Sequence, residues 1–204
     1  MKKPIYLFQG DSITDANRNR SLPENLGYGY VPLIQEALPE VKVLNRGVSG
    51  DRTVELLDRW KTDCLDLHPD VVSIFVGIND IWHKYKWNKP MTNELFEANY
   101  RKLLDRVKEA NPLVRLLLIS PFVFPLGDYD PLWRPDLNAE IAIVAKLASE
   151  YGAIHLPLEQ IMFDAAKNIP MKELADDGIH PTPRGHRLIA DAILNQLAKP
   201  SQSI

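Results

Sequence analysis

Four short stretches hold residue types that, brought together, make an acyl-transfer site. The first is Gly10-Asp11-Ser12-Ile13-Thr14-Asp15, which follows an apolar run and puts a serine hydroxyl at the carboxyl end of a predicted strand. Open α/β sheets bind their ligands at such ends. A serine hydroxyl needs a base near neutral pH to take its proton, and the base needs an acceptor that fixes its tautomer. The segment Asp176-Asp177-Gly178-Ile179-His180-Pro181 offers both groups. Asp177 and His180 are three apart, Gly178 permits a tight bend, and Pro181 pushes His180 towards an extended conformation that projects its ring. Each residue alone reads as a turn former, a cap or a surface histidine. Together they read as nucleophile Ser12, base His180 and orienting acid Asp177.

Acyl transfer also needs donors for a developing oxyanion. The second predicted strand ends in Asn45-Arg46-Gly47-Val48-Ser49-Gly50-Asp51, where glycine lets the Gly50 N–H approach a ligand closely. The third ends in Gly77-Ile78-Asn79-Asp80, where the Asn79 amide can donate beside it. Turn geometry for the glycines and an Asx-turn or helix cap for Asn79 are the plain alternatives. They leave unexplained why a serine, a glycine loop and an asparagine follow strands one, two and three. Of the other histidines, His68, His155 and His186 read as structural, and His83 as structural or substrate-facing.

The elements that must position these groups follow a βαβ rhythm. Apolar runs at Ile5–Phe8, Val41–Leu44, Val71–Val76, Val114–Ile119 and Ala153–Leu156 read as strands. Helices are expected at Gly29–Ala37, Thr53–Leu67, Thr92–Ala110, Pro135–Tyr151, Leu158–Ala166 and Pro183–Leu197, the last with proline in its first turn. Continuously apolar strands such as VVSIFVG imply burial on both faces. The expected fold is therefore α/β: a flavodoxin-like three-layer α/β/α sandwich around a central five-stranded parallel sheet, filling residues 1–204 as one domain. With the first strand central, the ends of strands one, two and three surround one crevice. The segment Pro121–Pro135 reads as a proline-rich surface loop forming a wall or lid of the site, and the terminal KPSQSI as frayed.

A net charge of -3 from 24 basic and 27 acidic residues argues against a nucleic-acid partner. The single cysteine, Cys64, reads as a buried structural thiol. Gly10 and Asp11 end the N-terminal apolar run before it makes a signal-peptide core, and no run reaches membrane-spanning length, so the cytoplasm is the simplest location and no membrane partner is expected. Neither GxGxxG nor GxxxxGK spacing is present for a phosphate-binding module, and a phosphoacceptor domain lacks its lysine beside Ala153–Leu156. A metal site built from Asp11, Asp177, His180 and His186 lacks HExxH or comparable spacing. No cofactor and no metal are expected.

The blocks GDS at Gly10–Ser12, Gly50 within GVSGD, GIND at Gly77–Asp80 and DGIH at Asp177–His180 resemble, in order and across nearly the whole chain, the four signature blocks of the SGNH/GDSL hydrolases. The resemblance implies a serine esterase with Ser12, His180 and Asp177 as triad. It implies an oxyanion hole made by the Ser12 and Gly50 N–H groups and the Asn79 side chain, with Asp11 shaping the loop. Within that family the chain is most similar to intracellular acetylxylan esterase-like carbohydrate esterases, through GYGYV at Gly27–Val31, the Arg59-Trp60 pair and GINDIWHKY at Gly77–Tyr85. The implied substrate is a small-molecule or oligosaccharide ester, O-acetyl groups on xylo-oligosaccharides above all. The alternative is a lipolytic esterase, lysophospholipase or thioesterase acting on longer chains. Asp11, Tyr28, Tyr30, Trp82, Tyr85 and Trp133 are the candidate substrate contacts. The aromatic ones equally suit loop packing or a subunit interface, so a homo-oligomer stays open.

Overall fold

The computed structural model describes residues 2–198, and the KPSQSI tail lies outside the described residues. Five strands, β1 (Ile5–Gly10), β2 (Lys42–Asn45), β3 (Val71–Phe75), β4 (Arg115–Ile119) and β5 (Ile154–Leu156), form one sheet in the order β2-β1-β3-β4-β5. Every pairing is parallel, with Leu7 opposite Leu44 on one side and Val72 on the other. This is the expected flavodoxin-like order.

Both faces are covered because consecutive strand residues point to opposite sides and nearly all are apolar. Leu7, Val72, Ile74, Leu116 and Leu118 pack under α3 (Thr53–Asp63), α5 (Asn93–Ala110) and α6 (Arg134–Glu150), through Trp60, Tyr100 and Leu147. On the other face Phe8, Phe75, Leu117 and Ile119 pack under α2 (Tyr30–Ala37), α7 (Leu158–Ala165) and α9 (Pro183–Leu197), through Tyr30, Met162 and Ile189. Cys64 is buried on the first face. Among the described residues no helix is long and apolar enough to cross a membrane.

The structure departs from expectation at three short helices. They are α1 (Ser12–Asp15), α4 (Ile78–Trp87) and α8 (Met171–Leu174), all in segments expected to be loop. Capping explains the first two. Asp11 Oδ1 accepts the Ile13 N–H at 3.0 Å and starts α1. In α4, Asp80 lies in the first turn, Lys84 and Lys86 in the last, and Asn88 closes the helix at φ 50°, a left-handed conformation asparagine tolerates. The expected Thr53–Leu67 helix stops at Asp63 and resumes as a 3-10 turn at Leu65–Leu67. The surface-loop reading of Pro121–Pro135 also fails in part. Phe122, Val123 and Phe124 are buried, because this apolar triplet continues β4 into the core, and exposure begins only at Pro125.

Candidate active site

The carboxyl ends of β1, β2 and β3 deliver three segments to one crevice, and a fourth arrives from the turn before α9. Ser12 is the first residue of α1, directly after β1. Its Oγ lies 2.9 Å from His180 Nε2. His180 Nδ1 lies 2.6 Å from Asp177 Oδ2. An ionised carboxylate accepts, so the proton sits on Nδ1 and leaves Nε2 to accept from the serine hydroxyl. Serine, imidazole and carboxylate thus stand in a hydrogen-bonded line along which a hydroxyl proton can be passed to the imidazole.

The turn carrying the last two groups is held from inside and outside. Asp177 Oδ1 accepts the N–H groups of Ile179 and His180 at 2.8 and 2.7 Å. Burial raises the Asp177 carboxyl's pKa, but the His180 ring and these two amides outweigh burial and hold it below its ordinary value. Gly178 has φ 89°, and its carbonyl accepts the Phe124 N–H at 2.8 Å. A side chain there would meet Phe124 O at 2.7 Å, so glycine serves both the left-handed turn and the close approach. The buried start of the Pro121–Pro135 segment is therefore the seat of this turn.

The expected oxyanion donors stand at the same end of the sheet. Gly50 has φ 88°, and apart from Gly50 and its chain neighbours no residue comes within 4 Å of where its Cβ would stand, which leaves that side of the loop open. Ser49 beside it donates its N–H and Oγ to Asp15 Oδ2 at 2.9 and 3.1 Å, tying the glycine loop to α1. Asn79, the second residue of α4, donates Nδ2 to Asp51 O at 3.1 Å, leaving its second amide hydrogen free of that bond. Asp80 Oδ1 accepts the Thr53 hydroxyl at 2.7 Å, and its carboxylate also takes the Thr53 N–H, fastening α4 to the start of α3.

Two carboxyls here are fully buried, and burial pushes each up to about 7: Asp11, beside Ser12, and Asp80, beside Asn79. Buried His83 and partly buried His186 are pushed the other way, to about 4, and stay neutral. Asp15, Asp51 and Arg59, all in the braces around the glycine loop, were given no role in the site by the sequence, although the Arg59-Trp60 pair helped carry the family resemblance. Their signal was the acid after Ile13-Thr14 and the acid after Gly50.

The six expected substrate contacts separate. Trp82 stands against the site, its ring centroid 6.3 Å from that of His180. Trp133 backs Trp82 at 6.2 Å but is only 2% exposed, packed among Ile78, Ile81, Val123, Leu137 and Ile179, so it supports the wall instead of meeting a ligand. Tyr30 is a correction too. It is fully buried, its hydroxyl paired with Thr14 Oγ1 at 2.9 Å and its ring stacked on His186. Asp11 is likewise sealed from solvent and spends Oδ1 on capping α1, so it shapes the loop without reaching a substrate. Tyr28 is 83% exposed beside α1, and Tyr85 directs its hydroxyl to Asp136 on α6.

The GDSL-like lipase/acylhydrolase family model matches residues 8–188. An acetylxylan esterase from Geobacillus stearothermophilus is 34% identical over 94% of this chain and 92% of its own length. The crystal structure of Axe2, an acetylxylan esterase from the same organism, superposes with a TM-score of 0.87 at 32% identity, covering 98% of this chain and 96% of that one. Catalytic mutants of that esterase, in which a serine, an aspartate or a histidine is replaced by alanine, share the fold. A candidate GDSL-like lipase from Parabacteroides merdae superposes with a TM-score of 0.91 at 33% identity, covering 96% of this chain and 95% of that one.

Proposed function

The chain belongs to the GDSL-like lipase/acylhydrolase family and is a carboxylic ester hydrolase, and from that premise we propose that it removes acetyl groups from acetylated sugars, xylo-oligosaccharides foremost, through Ser12, His180 and Asp177. The observation that carries the mechanism is the Ser12–His180–Asp177 relay, with contacts of 2.9 and 2.6 Å. His180 Nε2 takes the Ser12 proton as Oγ attacks the ester carbonyl. Asp177 steadies the imidazolium that forms. The tetrahedral oxyanion is met by the N–H groups of Ser12 and Gly50 and by Asn79. The imidazolium then gives its proton to the departing sugar oxygen as the ester C–O bond breaks, and water that His180 deprotonates in turn opens the acyl-enzyme, the proton passing back to Ser12 Oγ as acetate leaves.

The acyl preference rests on the esterase relatives and on Trp82, whose large ring beside His180 suits a sugar face and narrows the space for a long chain. Initial rates on acetylated xylose and on an acetyl-to-octanoyl series of p-nitrophenyl esters, for wild type and Ser12→Ala, test the whole reading. Acetyl esters should be turned over fastest, and Ser12→Ala should be folded and inactive. Fastest turnover of octanoyl esters would transfer the protein to lipolytic chemistry, and full activity in Ser12→Ala would remove the nucleophile.

A further inference from the structure

We propose that Arg59, on α3, is a positioning residue that holds the oxyanion donors of three separate segments in register. The inference rests on the oxyanion hole proposed above and adds to it the device that sets its geometry. Arg59 Nε donates to Asp51 Oδ2 at 2.6 Å. One terminal nitrogen donates to Gln9 Oε1 at 2.9 Å, Arg46 O at 2.7 Å and Asp63 Oδ2 at 3.1 Å, and the other to Gly10 O at 3.3 Å. A single guanidinium thus binds the end of β1 two residues before Ser12, the end of β2, and the residue after Gly50. The chain continues, because Asp51 O accepts Asn79 Nδ2 at 3.1 Å. Ser12, Gly50 and Asn79 come from different segments, the starts of α1 and α4 and the loop between β2 and α3, and share this junction.

Gly50 is the donor most in need of such a brace. Nothing packs against the open side of its Cα, so its amide is aimed by its neighbours: Ser49, held by Asp15, and Asp51, held by Arg59. The guanidinium suits the task because its donors are fixed in one plane and reach several acceptors at set angles, where an ammonium is one movable point charge. The Arg59 and Asp51 side chains are 16% and 10% exposed, so solvent screens their contact little. The hydrogen bonds and ion pairs of Arg59 go to Asp51, Gln9, Arg46, Asp63 and Gly10 and not to Ser12, His180 or Asp177, so it acts through Asp51, Gly50 and Asn79.

The test is a double-mutant cycle on a p-nitrophenyl acetate assay with wild type, Arg59→Lys, Asn79→Ala and the double variant, each checked for its thermal midpoint. Asn79→Ala should lower kcat by about 10²–10³. Arg59→Lys keeps the charge and should lower kcat by about 10–100-fold with KM within about threefold, since loop misplacement near 1 Å costs on that order. The double variant should lose much less than the product of the two effects, because the lysine variant has already mis-set the amide that Asn79→Ala removes. Unchanged kcat in Arg59→Lys, or a double variant at the full product, overturns the brace while leaving the oxyanion hole intact. Wild-type kcat in Asn79→Ala overturns the oxyanion reading itself, and the brace with it. Should Arg59→Lys fail to fold, Asp51→Asn severs the same charge-assisted contact at nearly constant shape, and the same cycle outcomes decide.

Discussion

Asp177 Oδ2 meets His180 Nδ1 at 2.6 Å, while Oδ1 of the same carboxylate accepts the amide hydrogens of Ile179 and His180. One oxygen builds the turn and the other sets the imidazole. Asp177→Asn keeps an acceptor for the backbone but presents an amide N–H to Nδ1. The ring must then carry its proton on Nε2, facing Ser12, where it can no longer act as base. Turnover should fall by about 10³–10⁴ with little change in thermal midpoint. Initial rates with p-nitrophenyl acetate, alongside a melting curve, check this. Turnover near wild type would remove the tautomer argument.

Tyr30 tests the boundary between site and core. Its hydroxyl pairs with Thr14 Oγ1, its one side-chain hydrogen bond among the described residues, and the ring is sealed beneath α9. Tyr30→Phe should destabilise the protein by about 1 kcal/mol, the ordinary worth of a buried hydrogen bond, and leave KM for acetylated xylo-oligosaccharides unchanged. Denaturant titration and kinetics separate these readouts. A raised KM with unaltered stability would return Tyr30 to the substrate.

The sheet order and most helix bounds were legible because buried strands and long amphipathic helices write strong periodic patterns, as in Val71–Phe75 and Pro183–Leu197. The roles proposed for Ser12, Asp177, His180, Gly50 and Asn79 suggested themselves in the sequence because each falls at a strand end or a glycine turn. The helix α4 was not, since its ten residues mix Trp82, His83 and three charged side chains, and its apolar stripe of Ile78 and Ile81 is short. Its signal lay in its ends, Asp80 early and Lys84, Lys86 and Asn88 late. The braces were invisible for another reason. That Arg59 reaches Gly10 and Asp51, or that Asp15 reaches Ser49, depends on tertiary approach across 8 to 49 residues of chain, which no local pattern encodes.

Asp80 gives a pH prediction whose sign follows from its burial. Burial raises its carboxyl to about 7 in the folded protein, from 3.8 when unperturbed. The folded state therefore holds this proton more tightly than the unfolded state. Its contribution to stability is full below about 3.8 and is lost as pH rises through about 7. Asp80→Asn cannot lose that proton. The unfolding free energy of the variant relative to wild type should rise with pH across this window, by up to about 1.4 kcal/mol per pH unit. Urea titrations of both proteins at pH 4, 5.5 and 7.5 measure the difference, and a pH-independent gap would mean that Asp80 titrates normally.

Trp82 decides how much of the substrate reading the site can bear. Its ring lies beside His180, is backed by Trp133, and carries the Lys86 ammonium 5.6 Å from its centroid. If that ring receives the sugar, its loss should weaken carbohydrate esters far more than an aryl acetate with no sugar to stack. Aromatic contacts of this kind are worth about 0.5–1.5 kcal/mol, so Trp82→Ala should raise KM for acetylated xylo-oligosaccharides about 2–10-fold. Its KM for p-nitrophenyl acetate should change less than twofold, and octanoyl esters should gain relative to acetyl ones as the wall recedes. Equal losses on every ester would instead mean that the tryptophan merely supports His180, and the carbohydrate preference would then need another surface to carry it.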